Sequence, residues 1–326
     1  MPIFGEVLLK MKKNENFIII GLDGGTFFSV AMLINLLLTL VVTLILQLSG
    51  ALNNPAFLES YGYTYLNFLI SPAAILVTLI YARQKCKLDL GRSVGFNLTD
   101  IRFFGIAFLL FIGCMLGLSG LNTLFVDWLN KLVGYTPASL NIPDSGVGNF
   151  LLCTLIICIL PAFFEELLFR GIVLNGSKRL GDVFAALTTG ALFCLYHHSP
   201  QQTIYQFILG VLFGLLAVKS GSIIPAMLFH FLNNFYIIVG YFIWGAEITL
   251  PPVATIIMIA AGLCILALGL ILLIKSKKPE VEENIKTDFL KIVDQKEERK
   301  AFLVSSAVGC AVCVLLWISE FITYIA

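Results

Sequence analysis

The chain has 326 residues, of which 59% are hydrophobic and 13% charged, with a formal net charge of +1 and a mean hydropathy of +0.95. Repeated apolar runs of about 20 residues in such a composition describe a polytopic helical membrane protein and exclude an ordinary soluble domain. Nothing in the charge balance points to a nucleic-acid partner.

Hydropathy predicts spans at 26–48, 64–82, 103–125, 149–169, 183–198, 203–218, 223–243, 252–274 and 301–323. The fold expected is therefore an all-α transmembrane bundle of eight or nine spans. The fifth and sixth spans are short for a bilayer core, so they tilt, extend into their flanks or end inside the protein. The first span follows the lysine cluster Lys10, Lys12 and Lys13. It has no small-residue cleavage site and reads as a retained anchor. Twenty of the 21 lysines and arginines fall in connections on one side, with only Lys131 outside. Positive charge is retained in the cytoplasm, so the expected topology has the N-terminus inside and the C-terminus outside.

Three segments follow: N-terminal spans in 1–148, a central polar window in 149–243, and C-terminal spans in 244–326. Two connections read as extramembrane. One is 126–148, with Pro137, Pro143 and Gly146; the other is the Lys- and Glu-rich 275–300, a solvated cytoplasmic connector. The eight cysteines are scattered and form no framework. Even Cys310-x-x-Cys313 reads as packing within a lipid-length helix, and Gly210-x-x-x-Gly214 as close helix contact.

The central window is different, because ionisable groups at membrane depth are costly and usually functional. All three histidines, His197, His198 and His230, lie in it, downstream of Glu165-Glu166. Glu166 and Arg170 are four apart, share a helix face and can neutralise one another. Glu165 is rotated about 100° away and left free. Phe193 and His197 repeat the spacing, as do His230 and Asn234, a donor-capable pair suited to a polarised carbonyl oxygen. A Glu, a His and a His/Asn pair on three helices can position and activate water; polar packing between helices is the structural alternative.

Glu165-Glu166-x-x-x-Arg170, Phe193-x-x-x-His197 and His230-x-x-x-Asn234 together resemble the three-motif signature of the CPBP, or Abi, family of intramembrane endopeptidases. That family includes the CAAX prenyl proteases and the bacteriocin-processing and self-immunity proteins. The resemblance covers 161–236 and implies an integral, multi-pass protein of a bacterial plasma membrane. Its expected partners are the lipid bilayer and a membrane-associated peptide or protein substrate.

Carried over, the resemblance implies that Glu165 with His197 activates the attacking water, while His230 and Asn234 stabilise the oxyanion. Glu166 and Arg170 support the site, Phe193 packs beside it, and His198, which has no counterpart, reads as an interfacial or substrate-side residue. Glu165, His197 and His230 are also the donors that would hold a zinc ion with an open position; water activation without a metal is the preferred expectation. A transporter would use the same residues as a proton relay but would show repeated halves, and an inactive membrane scaffold or immunity protein would share the motifs. One conflict of depth stands out. Glu165 lies a few turns from the end of its predicted span, whereas His197 comes roughly 21 Å into the next; for the two to meet, the fifth span tilts or begins deep in the bundle, or, the preferred expectation, the fourth helix continues to about Gly176.

Overall fold

The computed structural model describes residues 19, 21–86, 93–137, 141–143, 145–245, 251–277 and 295–325. Lys10, Lys12, Lys13 and most of the 275–300 connector lie outside the described residues. All regular structure among the described residues is helical. Among the described residues, eight helices are long and apolar enough to cross a membrane: α1 Gly21–Leu48, α2 Tyr61–Lys85, α3 Arg102–Val133, α4 Val147–Leu180, α6 Pro200–Ser220, α7 Ile224–Trp244, α8 Pro252–Lys275 and α9 Gln295–Thr323. Between α4 and α6 lies the shorter apolar helix α5, Asp182–Tyr196. The protein is thus a multi-pass helical bundle of eight candidate spans plus one 15-residue helix.

Helix α4 departs furthest from the hydropathy reading. It runs 34 residues, past the hydropathy end at 169 and as far as the depth of Glu165 and His197 requires, and its polar residues find partners along the helix. Asn175 Nδ2 donates to the Gly171 carbonyl at 2.9 Å and to the Ser93 carbonyl at 3.2 Å, and Ser177 Oγ donates to the Val173 carbonyl. Gly171 admits the chain segment at 94, since a Cβ there would lie 2.3 Å from Val94 Cγ1. The helix stops only at Gly181, whose φ of 107° is one that L side chains rarely adopt.

This length resolves the conflict of depth. Glu165 lies 15 residues before Leu180, and His197 follows the 15 residues of α5, so each is about 22 Å from the Gly181 corner. Two π-helical stretches, Thr154–Ile159 and Leu167–Leu174, flank the α-helical turn that carries Glu165 and Glu166. Such widened turns recur at functional positions in helices.

Three helix pairings are extensive, α5 with α6, α1 with α9 and α3 with α8. The first depends on small residues: a Cβ on Gly210 would lie 2.8 Å from Gly190 Cα, and one on Gly214 3.1 Å from Ala186 Cα. A single core joins distant parts of the chain, with Phe28 of α1, Phe103 of α3, Phe169 of α4, Phe213 of α6 and Phe302 of α9 in one buried cluster. The outer faces of α1, α8 and α9 expose Leu37, Leu40, Leu44, Ile256 and Leu315, as surfaces that meet lipid do. Gln295–Lys300 belong to α9 rather than to a solvated connector. Glu298 accepts from the Gly21 amide, and the Arg299 guanidinium lies 4.6 Å from the Phe184 ring centre.

Candidate active site

The i,i+4 pair on α4 forms as spaced: Arg170 Nη1 lies 3.0 Å from Glu166 Oε1, with both side chains fully buried. Three further features offset the cost of burying this arginine. Its other terminal nitrogen donates to the Gly210 carbonyl at 2.9 Å. Its guanidinium lies 4.5 Å from the centre of the Phe193 ring and 4.9 Å from that of Phe213. A cation between aromatic faces away from water gains roughly 2 kcal/mol. Phe193 therefore does more than fill space beside the site.

His230, six residues into α7, lies between the two glutamates. Its Nδ1 is 2.9 Å from Glu166 Oε1, and its Nε2 is 3.9 Å from Glu165 Oε2. Since the Glu166 carboxylate also takes the hydrogen bond of Arg170, it is the acceptor and His230 Nδ1 the donor. Nε2 is left facing Glu165. The imidazole stacks on Phe213, with centroids 5.3 Å apart and planes 19° from parallel, and meets the edge of Phe193. The 64-residue separation of Glu166 and His230 carries no local signal, and sequence spacing assigns Glu166 to Arg170 alone.

His197 is held by its own helix end. The last carbonyls of a helix have no amide partner within it, and the His197 amide turns to the Cys194 carbonyl at 3.2 Å. The carbonyl of Phe193 is met instead by His197 Nδ1 at 2.8 Å. A carbonyl can only accept, so this ring nitrogen carries the proton and Nε2 holds the lone pair. The Phe193 ring lies 4.7 Å from that of His197 and 5.8 Å from that of His230, edge-on to both. His198 then reverses the chain with φ 50°. It is a turn residue at the helix terminus.

Asn234 stands in a different network. Its Nδ2 donates to the Ile157 carbonyl at 3.0 Å, its Oδ1 accepts from Asn233 Nδ2 at 3.0 Å, and Asn233 Oδ1 accepts from Tyr205 OH at 2.7 Å. The α-helical donor to the Ile157 carbonyl would be the amide of residue 161, which is proline and has none. No hydrogen bond among the described residues joins Asn234 to His230 or the glutamates. Tyr205 and Asn233 were not picked out by sequence spacing; the Asn233-Asn234 doublet in an apolar helix was the available signal.

Several buried polar atoms have no hydrogen-bond partner among the described residues, including Glu165 Oε2, Glu166 Oε2 and Arg170 Nε. These three belong to the groups joined by the Glu166–Arg170 and Glu–His230 contacts. The zinc alternative asks Glu165, His197 and His230 to converge on one point. Among the described residues no three His, Cys, Asp or Glu side chains form such a group; Nε2 of each imidazole keeps its lone pair, with Nδ1 held as it is in a metal-ligating histidine.

Two carboxylates, an arginine and two imidazoles thus lie inside a helical membrane bundle. Residues 147–236 match the family model described as type II CAAX prenyl endopeptidase Rce1-like, in agreement with the CPBP resemblance; the match covers this stretch of the chain. No curated protein and no solved structure matches the chain.

Proposed function

We propose that the protein hydrolyses a peptide bond of a membrane-associated protein or peptide, with Glu165 as the base that activates water. The observation that carries this reading is the Glu165 carboxylate. It is buried halfway along a membrane-length helix, with one oxygen that has no hydrogen-bond partner among the described residues and lies 3.9 Å from His230 Nε2. That gap is narrow enough for one water molecule to touch both groups. A carboxylate paired with an arginine is spent as a base; Glu166 is so paired and Glu165 is not.

In the reaction, the water oxygen adds to the scissile carbonyl as Glu165, assisted by the lone pair on His197 Nε2, takes a water proton. The carbonyl oxygen acquires negative charge. His230 Nε2, when it bears a proton, and the second amide hydrogen of Asn234 supply donors toward that charge. Collapse of the tetrahedral adduct breaks the C–N bond, and Glu165 returns its proton to the departing amine. Glu166 and Arg170 hold His230 in register throughout. No part of this requires the substrate to carry a prenyl group.

The test is cleavage of quenched fluorogenic peptides in liposomes, with and without a farnesylated cysteine four residues from the C-terminus. Wild type should cleave some of them, and Glu165→Gln should lower kcat by at least ~10²-fold; equal rates would remove Glu165 from the chemistry. Elemental analysis addresses the metal. A stoichiometric zinc in the purified wild type, lost in both His197→Ala and His230→Ala, would move these three residues from base and donor to ligands.

A further inference from the structure

The network that ends on Asn234 has one internally consistent polarity, and its origin lies in the backbone. The Ile157 carbonyl can only accept, so the group facing it at 3.0 Å must be the Asn234 NH2 and not its oxygen. Asn234 Oδ1 then faces Asn233 and needs a donor, which fixes the Asn233 amide with its own NH2 toward Asn234. Asn233 Oδ1 is thereby turned to Tyr205, whose hydroxyl donates at 2.7 Å. Both amides could flip in isolation. Linked between a fixed acceptor and a hydroxyl that can donate, each has one orientation that satisfies its neighbours.

Asn234 Nδ2 has two hydrogens, and the Ile157 carbonyl takes one. We infer that Tyr205 and Asn233 are positioning residues that lock the Asn234 amide with its remaining N–H available to the developing oxyanion, an inference that rests on the donor role proposed for Asn234. Neither residue touches the reacting atoms. They act by preventing the amide flip that would present an oxygen where negative charge forms, a preorganisation that costs nothing at the moment of reaction. Tyr205 stands on α6, Asn233 on α7 and Ile157 on α4, so the lock also ties three helices at this level.

Two near-isosteric changes test it. Tyr205→Phe deletes the terminal donor, and Asn233→Asp replaces the group that donates to Asn234 Oδ1 with an acceptor, which favours the flipped amide. With the same fluorogenic peptides, Tyr205→Phe should lower kcat about 5- to 10-fold, the size of one neutral hydrogen bond, at unchanged KM. Asn233→Asp should lower it further. In an Asn234→Ala background, itself down about 10²–10³-fold, neither change should cost more, because the group they orient is gone. Equal fold-losses with and without Asn234 would overturn the lock and leave the donor role standing. Full kcat in Asn234→Ala alone would overturn both. Side-chain amide resonances in 15N-labelled protein give a readout free of turnover: the pair that vanishes in Asn234→Ala should shift in Tyr205→Phe, and an unmoved pair would overturn the lock.

Discussion

Two polar clusters lie side by side in this membrane bundle, and they are built on opposite principles. Glu165, Glu166, Arg170 and His230 are charged or chargeable, and their cluster leaves carboxylate oxygens and an arginine nitrogen without partners among the described residues. Tyr205, Asn233 and Asn234 are neutral and linked in one direction to a backbone carbonyl. In a low-dielectric interior, an unsatisfied charged group is expensive and therefore a candidate for chemistry, whereas a satisfied neutral chain is rigid and therefore a candidate for holding geometry. The first cluster would carry the proton and the second would fix where a donor points.

The largest effect expected from breaking this contrast is on the stability of the charged cluster. Arg170→Ala strands the Glu166 carboxylate in a fully buried position, a change that typically costs about 3–5 kcal/mol. Thermal unfolding in detergent should show a large drop, and Glu166→Gln combined with Arg170→Met should recover part of it by removing the uncompensated charge. Additive losses in the double variant would show that the two residues do not act as a pair.

A smaller effect separates support from chemistry in the neutral chain. Asn234→Ala leaves the Ile157 carbonyl without its side-chain donor and should cost about 1–2 kcal/mol of stability. Pro161→Ala restores a backbone amide four residues from that carbonyl and should return part of the stability in the Asn234→Ala background. It should not return kcat. Recovery of both together would mean that Asn234 serves the helix and not the reaction.

Much of this arrangement is legible in the residues, and the limits have physical causes. The Glu166–Arg170 pair follows from helical periodicity alone, and the eight long spans follow from hydropathy. Hydropathy alone ends α4 at 169, but the depth of Glu165 and His197 asks the helix to reach about Gly176, and it runs to Leu180, where Asn175 and Ser177 bond backbone carbonyls. The His230–Glu166 contact depends on how α7 packs against α4, which no spacing within either helix encodes. Tyr205 escaped notice because a tyrosine in an apolar helix ordinarily marks an interface with water or lipid headgroups.

His198 provides the smallest and most discriminating test of the contrast. Its Nδ1 is buried without a partner among the described residues, so counted by unpaired atoms alone it would join the reactive cluster. Its backbone argues otherwise. At φ 50° it occupies the left-handed conformation that closes a helix end, which costs a side-chain-bearing residue about 1–2 kcal/mol. Glycine avoids that cost, so His198→Gly should fold with equal or slightly higher thermal stability and keep kcat within about two-fold. His198→Val, β-branched in the same conformation, should lose stability. The outcome that would break this reading is a folded His198→Gly protein whose kcat falls by an order of magnitude or more, for then the imidazole, and not the turn, is what the site requires.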